Sequence, residues 1–300
     1  MVDRVSVTNL GLDMKTVKEI AILSVLATGI SSGAIIFDMT FDHLAGTADG
    51  AKLSDGQRTE DSSGSRHHGF FSGGAQSIHH TTSTISGTSG VDFSQTAGPG
   101  GIIVRDNLAD GGVGSPNAWW GAGNTPAAQP TIGAGVSWTI ESVININSQS
   151  DTGAIISNNG GGSEWWWRVT GGGTLQALFA DADTTTGAIS HAVPGGFDSD
   201  WHHVALIFDR TAGEVRTYYD YSLIGTTAFT PADYGAIGNA TRDLEIGQFD
   251  GTSARDFDGM MDQIRISDTV LATSEFIQIP EPATGSLLLL GGAMAGRRRR

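Results

Sequence analysis

The fold is decided by the stretch Trp201-His202-His203-Val204-Ala205-Leu206-Ile207-Phe208-Asp209. Successive side chains of a β-strand point to opposite faces of the sheet. Alternation therefore places His202 on one face with Leu206, and His203 on the other face with Ile207. Both faces are largely apolar, which indicates a central strand that is covered on both sides.

The two adjacent histidines of this stretch are candidate metal ligands. Because His202 and His203 point to opposite faces, they cannot readily share one ion. We expect each of them to be packed and hydrogen-bonded instead.

Short alternating runs of this kind recur along the middle of the chain, each bounded by Gly, Asp, Asn or Pro. They begin at Trp138, Gly153, Trp165, Leu175, Val215, Asp243 and Met260. The chain has 43 glycines, which supply frequent turns, and helical periodicity is almost absent between its two ends. This spacing of strands and turns predicts an all-β fold, an antiparallel two-sheet β-sandwich of the jelly-roll type.

Five segments of the chain resemble a known family. They are the opening motifs 41–42 and 61–69, the mid-domain strand 137–140, the hairpin 201–220 and the closing strand 257–267. Together they resemble laminin-G-like (concanavalin A-like lectin/glucanase) jelly-roll domains, and the resemblance covers nearly all of residues 35–276. The family usually places Gly after the Asp of the hairpin, where a positive φ is cheap. This chain has Tyr221 there, so we expect a longer or shifted turn.

The C-terminal tail combines a short motif, an apolar stretch and a basic cluster. Pro280-Glu281-Pro282 precedes the apolar residues 283–296, and the chain ends in Arg297-Arg298-Arg299-Arg300. The apolar stretch would form a short helix of roughly 21 Å, less than the ~30 Å hydrocarbon core, which suits a transient membrane insertion. The alternative is a frayed terminus that never inserts. The tail, residues 277–300, resembles the PEP-CTERM sorting signal, which implies cleavage by an exosortase-type membrane protease.

The N-terminal region has the layout of an export signal. Residues 14–34 contain a basic start at Met14, the apolar stretch 20–30 and the small residues Ser32-Gly33-Ala34. This pattern predicts a signal peptide, with a signal helix and cleavage by signal peptidase before Ile35. Residues 1–13 are then upstream sequence from a misplaced start codon. The alternative is a buried strand or helix at 20–30.

Charge and composition restrict the partners of the chain. Its formal net charge is −15 and it has no cysteine. An acidic chain is a poor partner for nucleic acid, which needs basic patches. The charge suits divalent cations or a matrix of neutral or cationic polymers; solubility alone is the alternative.

No catalytic motif is present in the sequence. Between the two terminal signals, residues 35–279 contain no Gly-x-Ser-x-Gly elbow, no His-Glu-x-x-His pair and no Walker loop. A glycosidase needs two carboxylates across a cleft, but with 32 acidic residues any pair could be nominated. We therefore expect a protein that is not an enzyme.

Two tryptophan clusters are candidate carbohydrate contacts. Trp119-Trp120 lies in a Gly/Ala/Pro-rich stretch, and Trp165-Trp166-Trp167 lies on a predicted strand. Sugar rings can stack on exposed indoles. Alternation puts Trp166 on the face opposite its two neighbours, so we predict carbohydrate contacts at Trp119, Trp120 and Trp166.

Two acids are candidate calcium ligands. Alternation over 260–266 places Asp262 on the face of Met260 and Ile264, where an unpaired charge would be costly. In the related jelly rolls an acid at this position often helps to hold a structural Ca²⁺, and Asp42 would be its companion. The alternative is an Asp262 that pairs with arginine or with backbone N–H groups.

These observations together predict an exported protein at the cell envelope surface or outside the cell. We expect it to bind carbohydrate or exopolysaccharide without cleaving it. The alternatives are a glycan-cleaving hydrolase on the same fold and a purely structural or adhesive envelope protein. Burial of the tryptophans would favour the structural alternative.

Overall fold

The computed structural model of the chain describes residues 34–54, 56–64, 67–72, 78–85, 89–93, 100–104, 136–147, 153–158, 165–181, 184–237, 244–249 and 256–279. Several sequence predictions lie outside these residues. They are the signal peptide up to Gly33, the pair Trp119 and Trp120, and the sorting signal from Pro280 onward.

The described residues form sixteen β-strands. These are β1 Ile35–Met39, β2 Arg58–Thr59, β3 Gly69–Ser72, β4 His79–Thr81, β5 Gly90–Asp92, β6 Gly101–Val104, β7 Trp138–Ile146, β8 Gly153–Asn158, β9 Trp165–Thr170, β10 Thr174–Phe179, β11 Ile189–Ala192, β12 Trp201–Asp209, β13 Glu214–Tyr219, β14 Ser222–Ala228, β15 Leu244–Ile246 and β16 Gly259–Ser267. Short 3-10 turns lie at Asp42–Leu44, Pro231–Asp233 and Thr273–Glu275.

The strands pair into two antiparallel sheets. Sheet A has the order β14-β13-β12-β7-β16-β5-β4, with β1 also paired to β16. Sheet B has the order β11-β10-β9-β8-β15-β6-β3-β2. The predicted all-β, antiparallel two-sheet sandwich is therefore confirmed.

Strand β12 shows how the decisive stretch produces this fold. Its neighbours in sheet A are β7 and β13, so it is a central strand. Leu206 and Phe208 point into the core between the sheets. Ala205 and Ile207 point the other way, into a second apolar cluster on the outside of sheet A. The predicted alternation of β12 is thus confirmed, and both faces are buried.

Aromatic side chains fill the core between the two sheets. Trp138 of β7 stacks on Phe208 of β12, with ring centroids 5.6 Å apart. Phe179 of β10, from the opposite sheet, meets the same two rings at 5.0 and 4.8 Å. Fully burying such side chains stabilises a fold by about 2–3 kcal/mol each, so this cluster holds the sheets together.

The predicted alternation along strand β16 is wrong for Met260, which does not share the face of Ile264. The register against β7 shifts between Met261 and Gln263, which marks a β-bulge at Asp262. Because a bulge inserts one extra residue, it moves the residues before it to the opposite face. Met261 is consequently in the core together with Ile264, whereas Met260 is half-buried on the outside.

The expectation of a longer or shifted turn after Asp220 is also wrong. Tyr219 pairs directly with Ser222, so the loop has two residues. Asp220 and Tyr221 have φ values of 45° and 64°, the positive values that a type I′ hairpin turn requires. The Asp220 carboxylate stabilises this turn by accepting a hydrogen bond from the backbone N–H of His203 at 3.1 Å.

A strap formed by residues 268–279 follows β16 and packs on the outer side of sheet A. Its Leu271 and Phe276 join the apolar cluster around Ile207. The Thr139 hydroxyl fastens the start of the strap: it donates to the Thr269 carbonyl at 2.8 Å and accepts from the Leu271 N–H at 3.1 Å. The strap therefore covers part of this face.

Candidate functional site

The outer face of sheet B has one row of side chains that runs across four strands. Cross-strand pairing places Glu245 of β15 beside Ser157 of β8, Ser157 beside Trp166 of β9, and Trp166 beside Leu178 of β10. Directly opposite residues in antiparallel strands lie on the same face. Glu245 and Leu178 are half-buried, so parts of both side chains reach solvent.

A second row lies beside the first and is polar. Ala154 of β8 pairs with Arg168 of β9, Arg168 with Gln176 of β10, and Gln176 with Ser190 of β11. The Arg168 guanidinium donates to Gln176 Oε1, with an Nε distance of 2.8 Å. Gln176 Nε2 in turn donates to the Ser190 hydroxyl at 2.8 Å. These bonds hold three polar groups in a fixed line.

The two rows contact each other where Arg168 lies over Trp166. The guanidinium carbon is 4.1 Å from the centre of the indole ring, a cation–π arrangement that restrains the arginine. We refer to Arg168, Gln176, Leu178, Ser190 and Glu245 as the sheet-B face.

Trp166 itself is not the exposed platform that we expected. Its residue surface is 5% exposed, because Arg168 lies above the ring and Phe249 packs edge-on against it at 6.2 Å. Trp165 and Trp167 share the opposite face, as alternation predicted, and that face points into the core. The indole of Trp166 supports the face from below.

Sequence reasoning missed most of the sheet-B face. Alternation in the segment 175–179 does place Gln176 on the outside, and that signal could have been used. The neighbours Ser190 and Glu245 depend on strand pairing, which joins residues far apart in the chain. Only the register brings these side chains together.

The sheet-B face is suited to a neutral polar ligand. A guanidinium has five fixed N–H donors, and an amide and a hydroxyl can both donate and accept. The adjacent Leu178 offers an apolar surface, and Glu245 supplies a hydrogen-bond acceptor. Convergent polar groups beside apolar area are the usual composition of a site for a small or extended organic ligand.

Each histidine of β12 is packed and hydrogen-bonded, as predicted. His202 lies between Asp198 and Asp220, with N···O distances of 2.7 and 2.8 Å. Burial lowers the pKa of His202, but the hydrogen bonds to both carboxylates outweigh it and the pKa is raised above its ordinary value. His203 points to the other side of sheet A and meets Glu141 at 3.0 Å.

The calcium ligands predicted from the sequence lie in different environments. Asp42 is exposed in a 3-10 turn. Asp262 is 1% exposed, and its Oδ2 accepts a hydrogen bond from the Ile85 N–H at 3.0 Å. Within the ranges given above, no group of three or more Asp, Glu or His side chains is placed to hold a metal ion. Calcium at Asp42 and Asp262 stays a prediction, which thermal melting with and without a chelator would test.

Comparison with protein families assigns the chain. The model of the concanavalin A-like lectin/glucanase superfamily (Laminin_G_3) matches residues 120–276. The chain belongs to this superfamily. The PEP-CTERM protein-sorting motif matches residues 278–300, which indicates export to the cell envelope or extracellular space and exosortase-type processing. In the part of the chain that the structure describes, no helix has the length and apolar character needed to cross a membrane.

Solved structures share the fold at low identity. Domain 4 of AbnA, a GH43 extracellular arabinanase from Geobacillus stearothermophilus, in complex with arabinotriose, is 13% identical with a TM-score of 0.52; the match covers 81% of this chain and 96% of that one. The binding domain of botulinum neurotoxin serotype G is 13% identical with a TM-score of 0.51, over 86% of this chain and 51% of that one. The chain thus spans about half the length of the neurotoxin binding domains that it matches. No curated protein sequence matches the chain.

Proposed function

We propose that this exported protein binds polysaccharide at the sheet-B face and does not cleave it. The observation behind this proposal is the fixed line of Arg168, Gln176 and Ser190. Neighbouring hydroxyl groups of a sugar can each accept or donate a hydrogen bond along such a line. The bonds within the line, and the Trp166 ring below it, hold the groups in place before a ligand arrives.

Further support comes from the fold and the sorting motif. The AbnA domain, which has the same fold, is a structure in complex with arabinotriose. A PEP-CTERM motif delivers the chain to the cell envelope or beyond it, where polysaccharide is an available ligand. Affinity per site would be modest, and many copies on one surface would raise retention through multivalency.

The carboxylates of the face support the proposal that the protein does not cleave its ligand. Glycoside hydrolysis ordinarily uses two carboxyl groups on either side of the bond. Among the described residues of the two rows, Glu245 is the one carboxylate. The appearance of reducing ends on incubation with a bound glycan would favour the hydrolase alternative.

The binding test uses the exported protein on a glycan array, followed by calorimetry with the best glycan. Arg168→Ala should weaken binding by about tenfold, because charged hydrogen bonds to a ligand are lost. Gln176→Ala should weaken it less. Arg216→Ala is the matched control. Arg216 is half-buried like Arg168, but it lies on sheet A and is ion-paired to Asp209 at 2.7 Å.

Wild-type affinity in both sheet-B variants would remove this face as the binding site. The second candidate function is a purely structural envelope protein, and the burial of Trp165, Trp166 and Trp167 favours it. No glycan binding by the unsubstituted protein would leave that structural function as the explanation.

A further inference from the structure

The last described residues of the strap are held by their backbone groups. The Ile277 N–H donates to Glu141 Oε2 at 2.7 Å. The Tyr221 hydroxyl donates to the Ile277 carbonyl at 3.2 Å and accepts from the Ile279 N–H at 2.6 Å. Three backbone groups of the strap end are therefore bound to two side chains of sheet A and its turn.

The side chain of Phe276 anchors the same segment. It is 3% exposed. Its ring stacks on His203 at 5.1 Å and meets Tyr218 edge-on at 5.3 Å. The ring of Tyr221 stacks on the same His203 ring, with the centroids 4.8 Å apart. Phe276 thus occupies a pocket made of aromatic rings.

A buried charge network lies beneath the strap. Glu141 is 0% exposed and accepts from Arg265 Nε at 2.7 Å and from His203 Nε2 at 3.0 Å. Arg265 also donates to the Glu275 carbonyl of the strap at 2.6 Å. A buried carboxylate needs all of its donors, so the Ile277 N–H completes this network as well as fastening the strap.

The held segment overlaps the sorting motif. The PEP-CTERM match begins at residue 278, so Gln278 and Ile279 belong both to the motif and to the strap. Pro280-Glu281-Pro282 follows directly. A protease that binds its substrate as an extended peptide uses the backbone N–H and C=O groups of the substrate. On the docked strap, the N–H and C=O of Ile277 and the N–H of Ile279 are already hydrogen-bonded.

We propose that the strap is a self-bound peptide that withholds the start of the sorting motif from the exosortase-type protease. The docking surface consists of Glu141, His203, Tyr218, Tyr221 and Arg265. Processing then acts on the fraction of molecules whose strap is released, and the apparent rate falls in proportion to that fraction. The Tyr221 hydroxyl contributes to holding the strap, because it binds both Ile277 and Ile279.

Tyr221→Phe tests this proposal, because it removes the hydroxyl and keeps the ring that stacks on His203. Amide hydrogen exchange of the full chain should show slow exchange at Ile277 and Ile279. In the variant, exchange at Ile279 should be about tenfold faster, from loss of its acceptor. In pulse-chase labelling of cells that process this protein, the half-time of C-terminal trimming should shorten by a similar factor.

Tyr219→Phe is the matched control. Tyr219 also flanks the hairpin turn, but its ring stacks on His202 at 4.6 Å and packs against the core between the sheets, and no hydrogen bond from its hydroxyl to the strap is present among the described residues. It should leave both exchange and trimming unchanged, and the Leu206 amide of β12 should exchange at the wild-type rate in both variants. Trimming of Tyr221→Phe at or below the wild-type rate would overturn the proposal. So would an Ile279 amide that exchanges as fast as a free peptide in the unsubstituted chain.

Discussion

The outer faces of the two sheets have similar residues but differ in what covers them. On sheet A, Glu141 and Arg265 lie beside the aromatic ring of His203. On sheet B, Arg168 lies over the ring of Trp166, and Glu245 lies in the same row as that ring, beyond Ser157. Glu141 and His203 are fully buried beneath the strap, whereas Glu245 and Arg168 remain half-buried. A carboxylate, an arginine and a ring can thus form a structural centre or a face open to ligands, and the path of the chain after its last strand decides which.

The largest expected effect comes from removing one glutamate on each face. Glu141→Ala should lower the free energy of unfolding by ~3–5 kcal/mol, because it leaves Arg265 and the Ile277 N–H without their buried partner. Glu245→Ala should cost about 1 kcal/mol or less, since half-exposed charges are screened by water. Urea unfolding followed by tryptophan fluorescence measures both. Equal losses in the two variants would contradict the contrast between the faces.

A smaller effect is expected from truncating the tryptophan beneath the sheet-B face. Trp166→Ala should cost ~2–4 kcal/mol of stability, slightly less than the ~3–5 kcal/mol expected for the core residue Trp167. The indole packs on Phe249 and Ala154 but lies outside the main core. Thermal or urea unfolding of the two variants gives the comparison. Wild-type stability in Trp166→Ala would instead favour the sequence prediction that Trp166 is an exposed carbohydrate contact.

The smallest effect is on the pH dependence of stability, where two histidines act in opposite directions. The raised pKa of His202 means that its stabilising contribution is full below the ordinary pKa and is lost as pH rises through the folded-state pKa. Burial lowers the pKa of His191, so its contribution is lost as pH falls below the ordinary value.

Melting curves between about pH 5 and pH 8 separate the two histidines. In His202→Gln, the fall in melting temperature at alkaline pH should be smaller by a few degrees. In His191→Gln, the fall in melting temperature at acid pH should be smaller. His191 bridges the sheets at their edges, through Thr217 at 2.8 Å and Thr227 at 3.1 Å. If the melting temperature of each variant followed the same pH dependence as that of the unsubstituted protein, neither histidine would be linked to folding in the way described.

Local pattern was sufficient for the strands and the faces of β12. Because both faces of a central strand are buried, the segment 201–209 is apolar on both faces, and this pattern is present in the sequence itself. The bulge at Asp262 left no such pattern, since an inserted residue becomes visible only in the register between β16 and β7. The two-residue turn at Tyr221 was missed because a bulky residue rarely adopts a positive φ.

The sites depended on contacts between distant parts of the chain. Glu141 reaches His203 across 62 positions and Arg265 across 124. No spacing rule relates residues that far apart, so the network was not predicted. The burial of Trp166 has the same cause, because Phe249 comes from a strand connection far along the sequence.

The turn at Asp220 and Tyr221 also has a consequence for how this chain can change over time. A left-handed backbone is unfavourable for tyrosine by about 1 kcal/mol or more, and glycine at position 221 would relieve it. Glycine has no hydroxyl, however, so the same substitution would release the Ile277 carbonyl and the Ile279 N–H. Selection for a more stable hairpin therefore favours glycine at position 221, whereas selection for a bound strap favours tyrosine.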